Sequence, residues 1–263
     1  MNSLNNLKAF VSALAMALVS SAAAPCAVIF SDDFSGTGGT DLNGSLPDVT
    51  TGGAAWVAAP VFNQDGEIDP GPGSATLAFT PANGLIYTLD VSMTGLVYSG
   101  SGNTADWLAI GFSEGQSTAA DTNSRFITTT VIGKIWMLSR GDQATGDNQA
   151  FLGSATSGTA NGIPWAGGPG IGGDFDLRLV LDTTGGAGSW TATWFAKRPA
   201  DASFTEVRAT APLLNENINS VGIASSNGGV DGRVTRFSLT SVPEPSAAAL
   251  IGIAAIALYW RRR

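Results

Sequence analysis

The sequence predicts an all-β protein, an antiparallel two-sheet sandwich of the jelly-roll type, and three observations support this. Apolar and polar residues alternate along several segments, Gly-rich turn signals separate these segments, and no segment has the apolar spacing of an amphipathic helix. The 263 residues include 34 Gly, 12 Pro and only 13% charged residues, a composition that disfavours helices. A chain of this length can form one sandwich domain.

Alternation is clearest in three segments, where every second residue is apolar: 85–93, 175–181 and 190–194. The intervening side chains are polar, among them Thr88, Asp90, Arg178 and Thr193, so each segment is a strand with one buried face. Further strands are predicted at 75–79, 107–112, 126–132, 134–139, 205–209, 220–224 and 233–241. Gly133 separates two of these without room for a loop, which indicates a bulge or one bent strand.

The N-terminal segment, 1–27, has the features of a secretory signal peptide. Lys8 precedes an apolar run over Ala9–Val19 that is too short to span a membrane, and a zone of small residues follows. We therefore expect a signal helix that signal peptidase removes within Ala23–Ala27. Cys26 is the single cysteine, so no disulfide can form within one chain. A lipoprotein anchor at Cys26 is disfavoured because Pro25 precedes it.

The C-terminal segment, 242–263, has three parts in a fixed order. Pro243, Glu244 and Pro245 come first, and an apolar run over 247–260 follows. As a helix this run is about 21 Å long, a short membrane span at roughly 1.5 Å per residue. The chain then ends in three basic residues: Arg261, Arg262 and Arg263. Basic residues stay on the cytoplasmic side, so the preceding domain is expected outside the inner membrane. Because proline interrupts strands, the folded domain is expected to cover 28–241 and to end before Pro243.

This order of Pro-Glu-Pro, short helix and basic terminus resembles the PEP-CTERM sorting signal of Gram-negative bacteria. The resemblance implies recognition by an exosortase-type transpeptidase and cleavage near the Pro-Glu-Pro triplet. It also implies that the protein is anchored in the membrane before sorting, then lies at the cell surface or in the extracellular matrix, in connection with exopolysaccharide and biofilm. The alternative is an ordinary C-terminal anchor that stays attached.

The middle of the chain resembles the laminin-G-like, concanavalin A-like lectin and glucanase superfamily. The residues that carry this resemblance are Phe34, Leu42–Gly44, Trp56 and Leu177–Thr183. It implies a concanavalin A-like jelly-roll fold over about 30–241. The superfamily includes lectins, glycoside hydrolases and adhesive modules, so the fold leaves the function open.

Charge and composition exclude several classes of partner and chemistry. The formal net charge is −8, with 21 acidic against 13 basic residues, and such a surface repels nucleic acid and anionic lipid. Histidine is absent, which removes the commonest general base and the commonest zinc ligand.

The best candidate for catalysis is the run Asp65–Asp69, which contains Glu67 and Asp69 two positions apart. Carboxylates at this spacing share one face of a strand, as a glycosidase pair requires. The resembling glucanases carry another Glu further along the same strand, whereas here Pro70 ends the strand. We therefore predict no catalytic residue and interpret the run as a charged surface turn.

Two loops supply candidate binding residues. Asp142 and Asp147 flank a flexible polar loop whose oxygen atoms could hold Ca²⁺, although the spacing equally fits solvated loop acids, and no cofactor is otherwise expected. Trp165, with Asn161 as a polar companion, lies on a Gly- and Pro-rich loop and is a candidate for stacking on a sugar ring. It could equally cover one end of the sandwich.

The sequence therefore predicts an exported surface or matrix protein with a noncatalytic module for carbohydrate or another polymer. The alternatives are a glycoside hydrolase of the same fold and a structural matrix protein without a ligand. Five tryptophans other than Trp165 are expected in the core: Trp56, Trp107, Trp136, Trp190 and Trp194.

Overall fold

The computed structural model describes ten ranges of the chain: 26–36, 40–70, 72–96, 107–118, 132–139, 148–153, 162–164, 173–213, 216–225 and 232–243. These residues form strands, turns and bends, and Val28–Ser241 make up one compact unit. No helix in these ranges has the length and apolar character needed to cross a membrane. The predicted signal helix and C-terminal helix lie outside the described residues.

The strands, numbered in chain order, form two antiparallel sheets. The larger sheet contains β1 (Ala27–Asp32), β2 (Thr40–Asp41), β3 (Val49–Thr50), β5 (Phe62–Gln64), β6 (Ile68–Pro70), β8 (Leu85–Leu96), β13 (Gly173–Asp182), β14 (Thr191–Lys197), β15 (Thr205–Pro212) and β17 (Arg233–Pro243). The smaller sheet contains β4 (Val57–Ala58), β7 (Gly73–Ala78), β9 (Leu108–Glu114), β10 (Ile132–Ser139), β11 (Gln149–Leu152), β12 (Gly162–Pro164) and β16 (Ser220–Ser225).

Strands that are distant in sequence lie side by side in both sheets. The larger sheet has the order β15-β14-β13-β8-β17-β6-β5-β2, with β1 next to β17 and β3 next to β1. The smaller sheet has the order β12-β11-β10-β9-β16-β7-β4. The two-sheet all-β prediction is therefore confirmed.

The core lies between the two sheets and follows the predicted alternation. The larger sheet contributes buried side chains at every second position, including Leu89, Val91, Leu177 and Leu179. The smaller sheet contributes a matching set that includes Leu77, Ile110, Phe112, Ile135 and Val221. Two apolar faces packed in this way exclude water from both, which is the main stabilising contribution in such a fold.

One hydrogen bond joins the two sheets directly through the core. The indole Nε1 of Trp194, on β14 of the larger sheet, donates to the backbone oxygen of Trp136, on β10 of the smaller sheet, at 3.1 Å. Arg208 on β15 adds a second connection, since its Nη1 donates to the backbone oxygen of Ala150 on β11 at 2.8 Å. Its guanidinium also lies 4.6 Å from the Trp194 ring, and burial lowers the pKa of Arg208.

The structure confirms three local predictions. The bulge appears at Gly133, where the register between β10 and β9 shifts before Ile135. One of the predicted turns between strand segments forms at Asn83 and Gly84, where Gly84 has a φ of 83°, which favours glycine. The five tryptophans proposed for the core are all buried.

Two predictions of strand limits need correction or remain open. The last strand was expected to end before Pro243, but β17 includes Pro243 as its final residue. Proline fits there because a strand end needs no further ladder donor. Of the predicted strand at 126–132, residues 126–131 lie outside the described ranges, and Ile132 begins β10.

The bond between the sheets can be tested with Trp194→Phe, which keeps an aromatic ring but removes the N–H donor. We expect the free energy of unfolding to fall by about 1–3 kcal/mol, because a buried hydrogen bond and part of the ring volume are lost. Urea denaturation followed by far-ultraviolet circular dichroism measures the change.

Trp190→Phe is the matched control. Trp190 Nε1 donates to Oδ1 of Asn83 at 2.8 Å, and Asn83 is exposed, so water can replace the lost bond. A smaller loss of stability is expected for Trp190→Phe. Equal losses in both variants would contradict a special role of the inter-sheet bond.

Candidate functional site

Most of the predicted site residues lie outside the described part of the chain. These are Glu244, Pro245, Arg261, Arg262 and Arg263 of the sorting signal, Asp142 and Asp147 of the calcium candidate, and Asn161 and Trp165 of the sugar candidate. Pro243 is described and ends β17. The calcium and sugar residues therefore remain predictions.

The candidate carboxylates at 65–69 lie at the larger sheet. The backbone N–H of Asp65 donates to the carbonyl oxygen of Glu67 at 2.9 Å, which closes a turn, and β6 follows and ends at Pro70. Oε1 of Glu67 is 3.4 Å from Nε of Arg233, and the Glu67 side chain is 42% exposed. An exposed carboxylate with a cationic neighbour has the environment of a surface ion pair.

An open groove on the outer face of the larger sheet is a candidate for a binding site. Its volume is about 430 Å³. It is lined by Thr88 from β8, Arg178 and Val180 from β13, Phe195 from β14, and Ser203 and Phe204 from the following loop. We call it the outer-face groove.

Strand register brings the lining residues together. Arg178 pairs with Asp90 of β8 on one side and with Phe195 of β14 on the other. In the next row, Val180 pairs with Thr88. Because side chains alternate along a strand, the buried positions 177, 179 and 181 place Arg178 and Val180 on the opposite face. The groove therefore lies directly outside the buried residues Leu177, Leu179 and Leu181.

Arg178, a polar residue of the groove lining, forms a bidentate ion pair with Asp90. Arg178 Nε donates to Asp90 Oδ1 at 2.6 Å, and Arg178 Nη2 donates to Asp90 Oδ2 at 3.0 Å. The two side chains are 33% and 30% exposed. One row away, Lys197 Nζ lies 3.8 Å from Asp176 Oδ2. Paired charges of this kind fix side-chain orientation and leave the surface close to neutral.

The apolar wall is formed by two half-buried phenylalanines. The Phe204 ring lies 3.9 Å from the guanidinium carbon of Arg178, a cation–π arrangement that holds both groups. Phe204 is on the loop between β14 and β15, where the N–H of Arg198 donates to Oδ2 of Asp201 at 2.9 Å and closes a turn. Phe195 is the outward neighbour of the buried Trp194.

The smaller sheet has its own aromatic cluster on the face turned away from the shared core. Trp136 and Phe151 stack with their ring centroids 3.7 Å apart, and Trp107 belongs to the same cluster. All three are at most 1% exposed. Among the described residues the Trp107 Nε1 atom is buried without a hydrogen-bond partner. With no exposed ring face, this cluster forms a second, smaller core.

Three carboxylates meet where β1 ends. Oxygen atoms of Asp32, Asp33 and Asp48 lie within 4.8 Å of one another. Trp56 Nε1 donates to Asp32 Oδ2 at 2.7 Å, and the backbone N–H of Phe34 donates to Asp32 Oδ1 at 2.8 Å. Oxygen ligands of this type suit a hard cation such as Ca²⁺, which takes 6–8 of them, but both oxygens of Asp32 already accept hydrogen bonds.

The C-terminal segment and the folded domain each resemble known proteins. Residues 241–263 match the PEP-CTERM protein-sorting motif, which confirms the resemblance of the C-terminal segment. The chain therefore carries a signal for export and membrane-anchored sorting in Gram-negative bacteria. None of the curated proteins matches the chain in sequence.

Among solved structures, the domain is similar to the metal-free exoplasmic/lumenal domain of VIP36, with a TM-score of 0.50 and 8% identity over 84% of this chain and 98% of that chain. It is also similar to endo-1,3-beta-glucanase from Streptomyces sioyaensis (TM-score 0.49, 13% identity, 85% and 100% covered). Peanut lectin gives a TM-score of 0.48 at 14% identity, with 83% and 98% covered.

The VIP36 match and the two-sheet topology show that the domain has the concanavalin A-like fold. Identities this low establish the fold alone, so the function has to be argued from the residues of this chain.

The pKa of Asp32 in the acidic cluster leads to a testable dependence of stability on pH. Burial raises its pKa above the ordinary 3.8, and this outweighs the hydrogen bonds from Trp56 and Phe34. A raised folded-state pKa means that the contribution of Asp32 to stability is largest below about pH 3.8 and is lost as the pH rises through the folded-state pKa.

The corresponding measurement compares the wild type with Asp32→Asn, which does not titrate. The difference in unfolding free energy, wild type minus variant, should fall as the pH rises from about 3.8, because only the wild type loses protonation there. Urea titrations at several pH values give this difference. A difference that grows with pH would show that the Asp32 pKa is instead lowered.

Proposed function

We propose that this exported surface protein binds an extracellular polysaccharide through its sandwich and does not cleave it. The observation that carries the proposal is the outer-face groove. It combines two partly exposed aromatic rings with a fixed polar pair, and rigid strands supply most of its lining. Ligand sites of concave shape with apolar lining and a few placed polar groups follow this pattern.

The noncatalytic part of the proposal is supported by the salt bridges that three carboxylates make. Glycoside hydrolysis needs two carboxyl groups with different roles, one of them held protonated by its surroundings. Asp90 faces Arg178, Asp176 faces Lys197, and Glu67 faces Arg233. Each of these three carboxylates is engaged in a salt bridge, whereas a hydrolase needs two carboxyl groups placed on either side of the glycosidic bond.

The sorting step follows from the motif and the last strand together. We propose that an exosortase-type transpeptidase cleaves beyond Pro243, because the chain up to that residue belongs to β17. Cleavage there leaves the sheet intact and releases the domain from the C-terminal helix. Signal peptidase removes the other end, and the product is a component of the cell surface or the biofilm matrix.

Polysaccharide binding can be tested on the mature protein purified from cells. We expect selective binding on a glycan array that includes bacterial exopolysaccharides, and no release of reducing sugar from the polysaccharides that bind. Heat-unfolded protein is the control for nonspecific adsorption. Reducing-sugar release would establish the glycoside hydrolase alternative, whereas a folded protein that binds nothing would leave the structural matrix protein.

Processing can be tested by the intact mass of the mature protein. We expect a chain that begins within or just after Ala23–Ala27 and ends beyond Pro243, because both terminal segments are addresses rather than parts of the sandwich. Replacing Pro243 and Pro245 together by Ala should leave the full C-terminal segment attached and the protein in the membrane fraction. A wild-type mass that includes Arg261–Arg263 would favour the permanent anchor.

A further inference from the structure

The outer-face groove has a charge balance that restricts its ligand. Among the described residues that line the groove, Arg178 is the one cation, and both carboxylate oxygens of Asp90 hold it; the neighbouring Lys197 faces Asp176. Arg178 and Lys197 therefore each have a negative charge within a few ångströms. The formal net charge of the whole chain is −8, which adds long-range repulsion against a polyanion.

The guanidinium of Arg178 keeps hydrogen-bonding capacity despite this pairing. It carries five N–H donors, of which the Nε donor and one Nη2 donor bind Asp90. Within the described ranges Nη1 has no hydrogen bond. The remaining edge is therefore available to oxygen atoms of a ligand, next to the hydroxyl groups of Thr88 and Ser203.

The apolar lining of the groove can contact the C–H face of a sugar ring. Phe195, Phe204 and Val180 offer apolar surface on the same groove as the donors. A pyranose ring has C–H groups on its faces and hydroxyls around its edge, so it can use both kinds of surface at once. An aromatic ring contributes large apolar contact area at little cost in conformational entropy.

We infer that the outer-face groove binds a neutral hexopyranose segment of a polysaccharide, with Phe195 as the apolar contact and Arg178, held in place by Asp90, as the polar contact. This inference rests on the proposed function and specifies its ligand class. A uronic acid polymer is disfavoured because Asp90 already compensates Arg178. A cationic polymer is disfavoured because Asp90 and Asp176 already have cationic partners.

The experiment measures binding of the mature protein to neutral β-glucan, mannan and galactan and to the polyuronate alginate, by affinity electrophoresis at low and high salt. We expect binding to at least one neutral polymer, changed less than about twofold by salt, because no counterions are released. Phe195→Leu keeps an apolar side chain, so the fold is retained, but it removes the ring and should weaken binding about tenfold. Leu46→Ala, at an exposed apolar position outside the groove, is the control.

Asp90→Asn provides a readout that a purely structural role would not produce. It leaves Arg178 uncompensated, so we expect new, salt-sensitive binding to alginate, while Arg198→Ala, which alters the exposed Arg198–Asp201 pair, should not do this. Wild-type binding to alginate alone would overturn the neutral ligand class. If Phe195→Leu binds neutral polysaccharide as strongly as the wild type, the outer-face groove is not the binding site, whereas the proposed function still holds. Absence of binding to every glycan would overturn both.

Discussion

The packing of two sheets on one shared core is the constraint on which the rest of the structure depends. Side chains alternate along a strand, so each strand of the sandwich commits half of its residues to the core and presents the other half outward. Trp194 and Phe195 show the consequence at adjacent positions. Trp194 is buried and bonded to the carbonyl of Trp136 across the core, while Phe195 lines the outer-face groove.

This shared core also explains how an outward-facing site can be well ordered. The backbone of β8, β13 and β14 is held by ladder pairing and by the buried side chains at every second position. The outward-facing side chains are attached to this fixed backbone. The conformation of Arg178 is restricted further by its ion pair with Asp90 and its contact with Phe204. Preorganisation of this kind lowers the entropic cost of binding a ligand.

The last strand, β17, overlaps the sorting motif in the sequence. β17 lies within the larger sheet between β8 and β6, and its final residue is the first proline of the Pro-Glu-Pro triplet. The sorting motif, at residues 241–263, therefore begins inside the sandwich. β17 and the sorting motif therefore share residues 241–243.

The sequence alone determined the alternating strands, the bulge at Gly133, the burial of five tryptophans and the sorting signal, because each depends on residues close together in the chain. It did not reveal β1–β6, β11 or β12, since strands of two to six residues with mixed composition carry little periodicity. Alternation did place Asp90 and Arg178 on outward faces. Only the tertiary structure decided that they meet, because strand register across 88 positions depends on how the whole sheet packs, and the same packing brings the loop residue Phe204 over Arg178.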